Sequence, residues 1–249
     1  MAAVRTSKNR ILSEKLDCAL CGTVGQSPFQ DLQRPDLERL SERKIHNVYR
    51  RTQSLYYEGN RPTGVFCIKE GRVKCYRLGP GGQRQIIRIV GPGDLLGFSA
   101  VIRGGAHAET AEALENAVVC FIPKESFLSM FSDRRELVSR LLSKTLGDTQ
   151  QMEDTVLSIS TMNVRDRTLR LFRHLGMRFG ITDAQSEGIL WLDVPLTRQE
   201  MAEMIGTSVE TLIRMLAELK DEGLVTSQGR MIGISDMKRL SDLTSSAAG

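Results

Sequence analysis

The chain has 249 residues, enough for two modest domains that each bury a core of their own. Its 41% hydrophobic and 26% charged residues exclude wholesale disorder and a fibrous repeat, and its net charge of +4 permits nucleic-acid binding without requiring it. No stretch is long and apolar enough to span a membrane, and the charged N-terminus excludes a secretory signal, so we expect a cytoplasmic protein with no membrane contact.

The N-terminal arm, residues 1–28, is polar and carries two cysteines three positions apart, Cys18 and Cys21. Because cytoplasmic thiols stay reduced, such a pair is more typical of metal or redox chemistry than of a structural disulfide. A zinc ribbon needs a second cysteine or histidine pair at ligand spacing, and a thioredoxin-like site needs a preceding strand of an α/β unit; the sequence has neither. From the residues alone, the pair is a ligand set, a redox couple or a bystander.

Residues 29–125 are predicted to form a β-sandwich of the jelly-roll type. Short apolar runs alternate with glycine turns such as 79–82 and 91–93, a pattern typical of antiparallel strands. Alternation with a period of two around Cys75 predicts that its thiol is buried. We interpret both Cys67 and Cys75 as small core residues, because buried free cysteine is common.

Residues 126–162 are predicted to form one long helix that pairs with a second copy of itself. An apolar seam runs along it at alternating steps of four and three residues, the spacing by which two helices bury a stripe against each other. The seam consists of Val138, Leu142, Thr145, Thr149, Met152, Val156 and Ile159. Its two threonines and the interior Gly147 weaken it. The alternative is a single helix packed on its own domain, which leaves so long a seam unexplained.

Residues 163–249 are predicted to form a winged helix-turn-helix. A helix and a short strand in "ILWLDVP" precede two further helices joined by a turn at Gly206, and a hairpin around Gly229 follows as the wing. The caps expected at the two helix starts are Thr197 with Glu200, and Ser208 or Thr207. The whole chain is therefore predicted to be an α+β protein with an N-terminal jelly roll, a long dimerisation helix and a C-terminal winged helix-turn-helix.

One stripe of the second of these helices, opposite its core face, carries Val209, Glu210, Ile213 and Arg214. Arginine can donate two hydrogen bonds to guanine, and glutamate can accept one from cytosine. Glu210 and Arg214 therefore predict a G·C pair at the centre of a DNA half-site. The alternative is an ion pair between these two side chains on a solvated face.

The order of these segments, with "GPGDLLG" in the jelly roll and "LTRQEMAEMIGTSVETLIRML" in the helix-turn-helix, resembles the Crp/Fnr superfamily of bacterial transcription regulators. The resemblance covers nearly the whole chain and implies a cyclic-nucleotide-binding-like sensor domain, a homodimer and a regulator rather than an enzyme. It implies that Glu210 and Arg214 read bases, while Arg198, Gln199, Ser208 and Thr211 contact phosphates or neighbouring base edges.

Val209 followed by Glu210 resembles the FNR-like branch, because the cyclic-AMP receptor branch carries arginine at the first of these positions. Ile213 departs from FNR, which has a serine there, and an isoleucine could contact a thymine methyl group. The stretch that would bind a cyclic phosphate, "RGGAHAETAEAL", places Glu109 where it would repel the anion. We therefore expect no cyclic nucleotide.

By resemblance to the FNR-like oxygen sensors, Cys18, Cys21 and Cys120 are ligands of a [4Fe–4S] cluster. Such a cluster usually takes four thiolates, but Ser27 stands at the position of the remaining cysteine. Ser27 or Asp17 could complete the cluster. Alternatively, Cys18 or Cys21 could form a reversible disulfide with the other or with Cys120, or the cysteines could be vestigial.

The scattered histidines His46, His107 and His174 are interpreted as surface or core residues, with His107 the first to check for haem. The expected partners are near-palindromic double-stranded DNA, RNA polymerase and a second copy of the chain. Two rival functions remain open: a regulator of this family that binds a small molecule, and a thiol-redox protein for which DNA binding would be incidental.

Overall fold

The computed structural model describes residues 17–182 and 188–246. Most of the predicted N-terminal arm, residues 1–16, therefore lies outside the described residues, as do 183–187 and 247–249 of the predicted winged-helix domain. No helix in the described ranges is long and apolar enough to cross a membrane.

The N-terminal domain is built from a short 3-10 helix, two α-helices and eight strands. In chain order they are the 3-10 helix Val24–Gln26, α1 Arg34–Arg43, β1 Ile45–Tyr49, β2 Ser54–Tyr56, β3 Gly64–Glu70, β4 Val73–Leu78, β5 Arg84–Val90, β6 Leu95–Leu96, α2 Phe98–Arg103, β7 Thr110–Ala113 and β8 Ala117–Pro123. The strands form two antiparallel four-stranded sheets, ordered β1-β8-β3-β6 and β2-β7-β4-β5. The predicted jelly roll thus has the expected two layers, while α1 and α2 were not foreseen.

Each sheet contributes one face to the core between the layers. Phe66 and Ile68 of β3 pack there against Val73 and Cys75 of β4, and Cys75 is fully buried as predicted. The opposite face of the β1-β8-β3-β6 sheet is covered by residues 17–40 and by the helices that follow β8. This arrangement makes β3 and β8 strands with two covered faces.

The segment predicted as one helix over 126–162 is two helices, α3 Lys124–Asp133 and α4 Arg135–Thr161. The break falls at Arg134, whose backbone is extended (φ −124°, ψ 102°). Its guanidinium donates two 2.7 Å hydrogen bonds to the carboxylate of Asp36 on α1, which holds the break in place. The prediction of one long helix is confirmed by α4, but its start at residue 126 was wrong, because periodicity does not detect a one-residue interruption fixed by a tertiary contact.

The C-terminal domain is a winged helix-turn-helix, as predicted. Its elements are α5 Val164–Phe179, β9 Gly180–Ile181, β10 Leu190–Leu192, α6 Arg198–Ile205, α7 Val209–Asp221, β11 Val225–Gln228, β12 Met231–Ile234 and α8 Met237–Ser246. The strands form one sheet in the order β11-β12-β10-β9. Strand β9 and helix α8 were not predicted from the sequence.

The two domains are joined by buried charges. Lys74, which period-2 alternation on β4 would expose, is buried and donates to Glu112 of its own sheet at 2.9 Å and to Glu200 of α6 at 2.8 Å. Asp94 of the jelly roll accepts from Lys144 of α4 at 2.9 Å and from Arg178 of α5. The helix-turn-helix is therefore held directly against the sensor sheets.

Candidate functional site

Four cysteines from three separate parts of the chain line one cavity. Cys18 and Cys21 come from the N-terminal segment, Cys67 from β3 and Cys120 from β8. All four thiols are free in this structure. Cys18, Cys21 and Cys120, predicted together from the family resemblance, are thus brought together, and Cys67 joins them unforeseen.

Cys67 and Cys120 are adjacent because β3 and β8 pair antiparallel with these two residues in direct register. Cross-strand partners point to the same face of a sheet. On β3 that face is shared by Cys67 and Lys69, which both line the cavity, whereas Phe66 and Ile68 face the sandwich core. Cys67 is thus packed against a hydrophobic cluster, as predicted, but on the opposite face of its sheet from the sandwich core that holds Cys75. The lysine two positions later was the available signal for that face.

Cys18 and Cys21 lie in a run of turns that ends at the 3-10 helix. The amide of Cys21 donates to the carbonyl of Cys18 at 3.2 Å, and the amide of Cys18 donates to the Ser41 hydroxyl at 2.7 Å. The two residues between the cysteines are too few to form a strand or a full helical turn, so one tight turn carries both thiols to the cavity.

A lysine faces the thiols. Lys44 donates a 2.9 Å hydrogen bond to Cys18 Sγ and lines the cavity together with Lys69. Burial lowers the pKa of Lys44, but the hydrogen bond to Cys18 and the neighbouring sulfurs outweigh it, so its pKa lies above the ordinary value. Burial raises the pKa of the Cys67 and Cys120 thiols, an effect that the charge of Lys44 partly offsets.

The two oxygen ligands considered from the sequence have other partners. The Ser27 hydroxyl also lines the cavity, but it donates to the Val24 carbonyl at 2.8 Å and accepts from the Phe29 amide at 3.2 Å. Asp17 accepts from the Ala19 amide at 2.8 Å and from the Ser41 hydroxyl at 3.3 Å. Both side chains therefore fix the turns that carry Cys18 and Cys21.

The side chains that line the cavity can be compared with the ligands of known metal centres. Within the described ranges no three histidine, cysteine, aspartate or glutamate side chains are grouped so as to hold one metal ion. Four thiols spread around a cavity are instead the ligands typical of a [4Fe–4S] cluster. The cavity measures about 30 Å³, room for one or two waters, so admitting a cluster would require the turns of residues 17–33 to move outward from the sheet.

The second candidate surface is the helix-turn-helix. Thr197 and Glu200 form the predicted capping box at the start of α6, Gly206 adopts the left-handed conformation of the turn (φ 65°), and Ser208 caps α7 by accepting from the Thr211 amide at 3.2 Å. Ser208, rather than Thr207, is thus the cap of the second helix.

The predicted base-reading side chains on α7 face outward. Glu210 and Arg214 are exposed, and Ile213 is 52% exposed, while Val209 is half-buried against the domain core. No ion pair between Glu210 and Arg214 is found in the described part of the chain, so the alternative explanation of that pair is not supported. The stripe is accessible to a duplex.

The residues predicted to contact phosphates or neighbouring base edges differ in their exposure. Gln199 is exposed on α6 and donates to Glu203 at 3.0 Å. Arg198 is half-buried, and that burial lowers its pKa. Thr211 is half-buried and shares a 3.1 Å hydroxyl contact with Ser208 at the start of α7.

The predicted seam lies on the solvent-facing side of α4. Its apolar members Leu142, Met152, Val156 and Ile159 are 58%, 53%, 68% and 43% exposed. Val138 is half-buried, and Thr145 and Thr149 donate their hydroxyls to carbonyls of their own helix at 2.8 and 2.9 Å. The seam is thus an unpartnered apolar stripe with no unsatisfied hydroxyl donor.

A second cavity, of about 230 Å³, lies between the jelly roll and α4. Glu109 projects into it, accepting from Arg88 at 2.5 Å and from the Tyr56 hydroxyl at 3.3 Å, and Arg88 also donates to Asp148 of α4 at 2.8 Å. The arginine of this cavity is therefore already paired with two carboxylates. His107 is buried, stacked on Tyr56 with ring centroids 3.9 Å apart.

Comparison with known proteins matches both halves of this architecture. Residues 46–134 match the cyclic nucleotide-binding domain family, and residues 167–243 match the Crp-like helix-turn-helix domain family. The chain is 28% identical over 231 residues to the anaerobic regulatory protein of Haemophilus influenzae, covering 92% of this chain and 86% of that protein. It is 26% identical over 227 residues to the fumarate and nitrate reduction regulatory protein of Escherichia coli, covering 91% and 88%.

Among solved structures, FixK2 from Bradyrhizobium japonicum has the same fold, with a TM-score of 0.71 over 80% of this chain and 96% of that one at 24% identity. The jelly roll, the long helix and the winged helix-turn-helix thus recur in the same order. On these matches and this architecture, the chain belongs to the Crp/Fnr family of transcription regulators.

Proposed function

We propose that this protein is a homodimeric transcription regulator that binds double-stranded DNA through α7 and responds to oxygen or redox state through an iron–sulfur cluster at the cysteine cavity. The observation that carries the proposal is the convergence of Cys18, Cys21 and Cys120 on one cavity, although about a hundred residues separate the first pair from the last. Relatives named as anaerobic regulators agree with it.

The chemistry of the cavity supports a cluster with thiolate ligands. A thiol binds iron as the thiolate, so each ligand releases its proton on binding. Lys44 and Lys69 line the same cavity, and their positive charge offsets part of the burial that raises the pKa of the Cys120 thiol. When bound, a cluster of this kind supplies a group that is sensitive to oxygen and to redox state.

The cavity is connected to the start of α4 by direct contacts. Cys18 belongs to the same hydrophobic cluster as Leu137 and Leu141 of α4. Asp31, in the segment that follows the cysteine turns, accepts from Arg140 at 2.6 Å. Movement of residues 17–33 on ligand binding would therefore shift the contacts that position α4, and with them the pairing of its exposed seam.

Pairing of two chains along α4 would complete the DNA reader. A two-fold dimer presents two copies of α7 about one helical turn of DNA apart, so it requires a near-palindromic site. The exposed seam supports this pairing because so large an apolar stripe is unfavourable in water. RNA polymerase remains the partner expected by resemblance, and DNA binding implies a cytoplasmic protein.

A thiol–disulfide switch is the second candidate. It is supported by the same proximity of four free thiols, since a disulfide forms wherever two thiols can approach each other in a suitable geometry. The paired Glu109 and Arg88 in the second cavity, between the jelly roll and α4, favour both candidates over a cyclic-nucleotide effector.

Anaerobic purification followed by visible spectroscopy, iron and sulfide analysis and DNA binding, each before and after exposure to air, tests the proposal. A coloured protein with about four iron atoms per protomer, which bleaches in air with a change in DNA affinity, is the expected result. A colourless protein that loses free thiols and changes DNA affinity on oxidation would establish the disulfide switch instead. DNA binding indifferent to air and oxidants would contradict both.

A further inference from the structure

We infer that Cys67 is the fourth cluster ligand, in the place for which the sequence offered only Ser27 or Asp17. The inference rests on the proposed function, because it names the ligand set of the same cavity. It makes Cys18, Cys21, Cys67 and Cys120 a complete set of four thiolates, each of which transfers its proton to solvent when its sulfur binds iron.

The register of the β1-β8-β3-β6 sheet places Cys67 beside Cys120. Cys67 and Cys120 are direct cross-strand partners on β3 and β8, so their side chains leave the same face of the sheet side by side. A cluster that Cys120 binds on this face of the sheet is therefore within reach of Cys67 as well. The two thiolates would bind neighbouring irons of one cluster.

The side-chain oxygens of Ser27 and Asp17, the other candidate ligands, already form hydrogen bonds within the protein. The Ser27 hydroxyl bridges the Val24 carbonyl and the Phe29 amide, and Asp17 does not line the cavity. Ligation by either would break hydrogen bonds that shape the turns carrying Cys18 and Cys21. Cys67 has no such competing role, since its thiol forms no hydrogen bond within the described part of the chain.

Cys75, the remaining cysteine, is placed differently from Cys67. Cys75 lies on β4, in the other sheet, and its side chain is buried in the core between the layers. It does not line the cavity. Cys75 is therefore a matched control: it is a fully buried cysteine of the same domain that faces the core between the sheets instead of the cavity.

The test compares Cys67→Ala and Cys67→Ser with Ser27→Ala and Cys75→Ala, all purified without air as the full chain. We expect Cys75→Ala to retain the wild-type visible spectrum and iron content. Ser27→Ala loses a hydroxyl that shapes the cysteine turns but keeps all four thiols, so we expect it to form a cluster with the wild-type spectrum. We expect Cys67→Ala to lose at least half of the bound iron and the remainder to bleach faster in air. Cys67→Ser, which offers an oxygen ligand, should retain a cluster with a shifted spectrum.

A cluster with unchanged spectrum and iron content in Cys67→Ala would overturn the inference and leave the proposed function intact. A wild-type chain without iron would instead remove the proposed function, and with it the ligand assignment. Circular dichroism of each apo variant establishes that the fold is retained before iron contents are compared.

Thiol footprinting of the wild-type protein keeps the test independent of any variant. The holoprotein is treated anaerobically with a thiol-alkylating reagent, before and after a chelator removes the iron, and the modified cysteines are identified by mass spectrometry. We expect Cys67 to become reactive together with Cys18, Cys21 and Cys120 when the iron leaves. Equal reactivity of Cys67 in both states, while those three change, would contradict its role as a ligand.

Discussion

Cys67 and Cys120 face each other directly across the β3–β8 pair, on the face of the sheet that the N-terminal cysteines cover. Cys67 on β3 and Cys120 on β8 are far apart in the sequence, but the pairing of these strands makes their thiols neighbours. It also places the candidate site on β8, the strand that leads through α3 into α4, so the site lies close in sequence to the helix it would control.

Cys120→Ala should abolish the response of DNA binding to air while leaving non-specific DNA binding unchanged. Cys120 lines the cysteine cavity and is remote from α7, so the substitution removes a ligand without touching the DNA-reading surface. Electrophoretic mobility shifts with specific and random duplexes, before and after air, measure both quantities. Cys75→Ala is the control and should respond as the wild type does; a Cys120→Ala protein that still responds would contradict the ligand role.

Arg214→Ala should weaken specific DNA binding by about 1–3 kcal/mol and relax the preference for guanine at one position of each half-site. Arg214 is exposed on α7 and free of Glu210, so its guanidinium is available to a base. Binding to a set of duplexes with each base at that position provides the measurement. Lys220→Ala, on the last turn of the same helix, should leave base preference unaltered, and unchanged site selection by Arg214→Ala would remove it from the reading role.

Val156→Glu should shift the protein from dimer to monomer. Val156 is 68% exposed in the C-terminal part of the α4 seam, and in a two-fold dimer each new carboxylate would lie in an apolar interface, at a cost of several kcal/mol. Sedimentation velocity over a range of concentrations detects the change. Ser143→Glu adds the same charge on another exposed side of α4 and should remain dimeric. Two variants with equal dissociation constants would exclude the seam as the interface.

Asp94→Asn should destabilise the protein at neutral pH by about 2 kcal/mol, and the difference from wild type should shrink as the pH falls below about 5. Burial alone would raise the pKa of Asp94, but Arg178, Lys144 and the Gly91 amide lower it below the ordinary value.

The sign follows from linkage: a carboxylate with a depressed pKa in the folded state contributes its stability above the pKa of the unfolded chain. That contribution is lost as the pH falls through the lower, folded value. Urea unfolding of Asp94→Asn and wild type at fixed protein concentration measures the difference across this range. Asp242→Asn, at an exposed carboxylate, is the control. A difference independent of pH would show that Asp94 does not act through its charge.

The C-terminal domain was predictable in detail because its signals are local. The capping box at Thr197, the turn at Gly206 and the apolar spacing on α7 each depend on residues within one or two turns of each other. The same reasoning failed where a distant contact decided the outcome. Arg134 interrupts the long helix because it binds Asp36, and Lys74 is buried because carboxylates from two domains surround it.

The sequence alone therefore determined the order of jelly roll, long helix and helix-turn-helix, and it predicted the seam on α4 and the candidate roles of α7, Cys18, Cys21 and Cys120. Only the tertiary structure decided the fourth cysteine. A period of two assigns Cys67 and Cys75 each to one side of its strand, but it does not state which side is the sandwich core. Strand pairing decides the side. The register of β3 against β8 fixes Cys67 beside Cys120, while Cys75 on β4 points into the core between the two sheets.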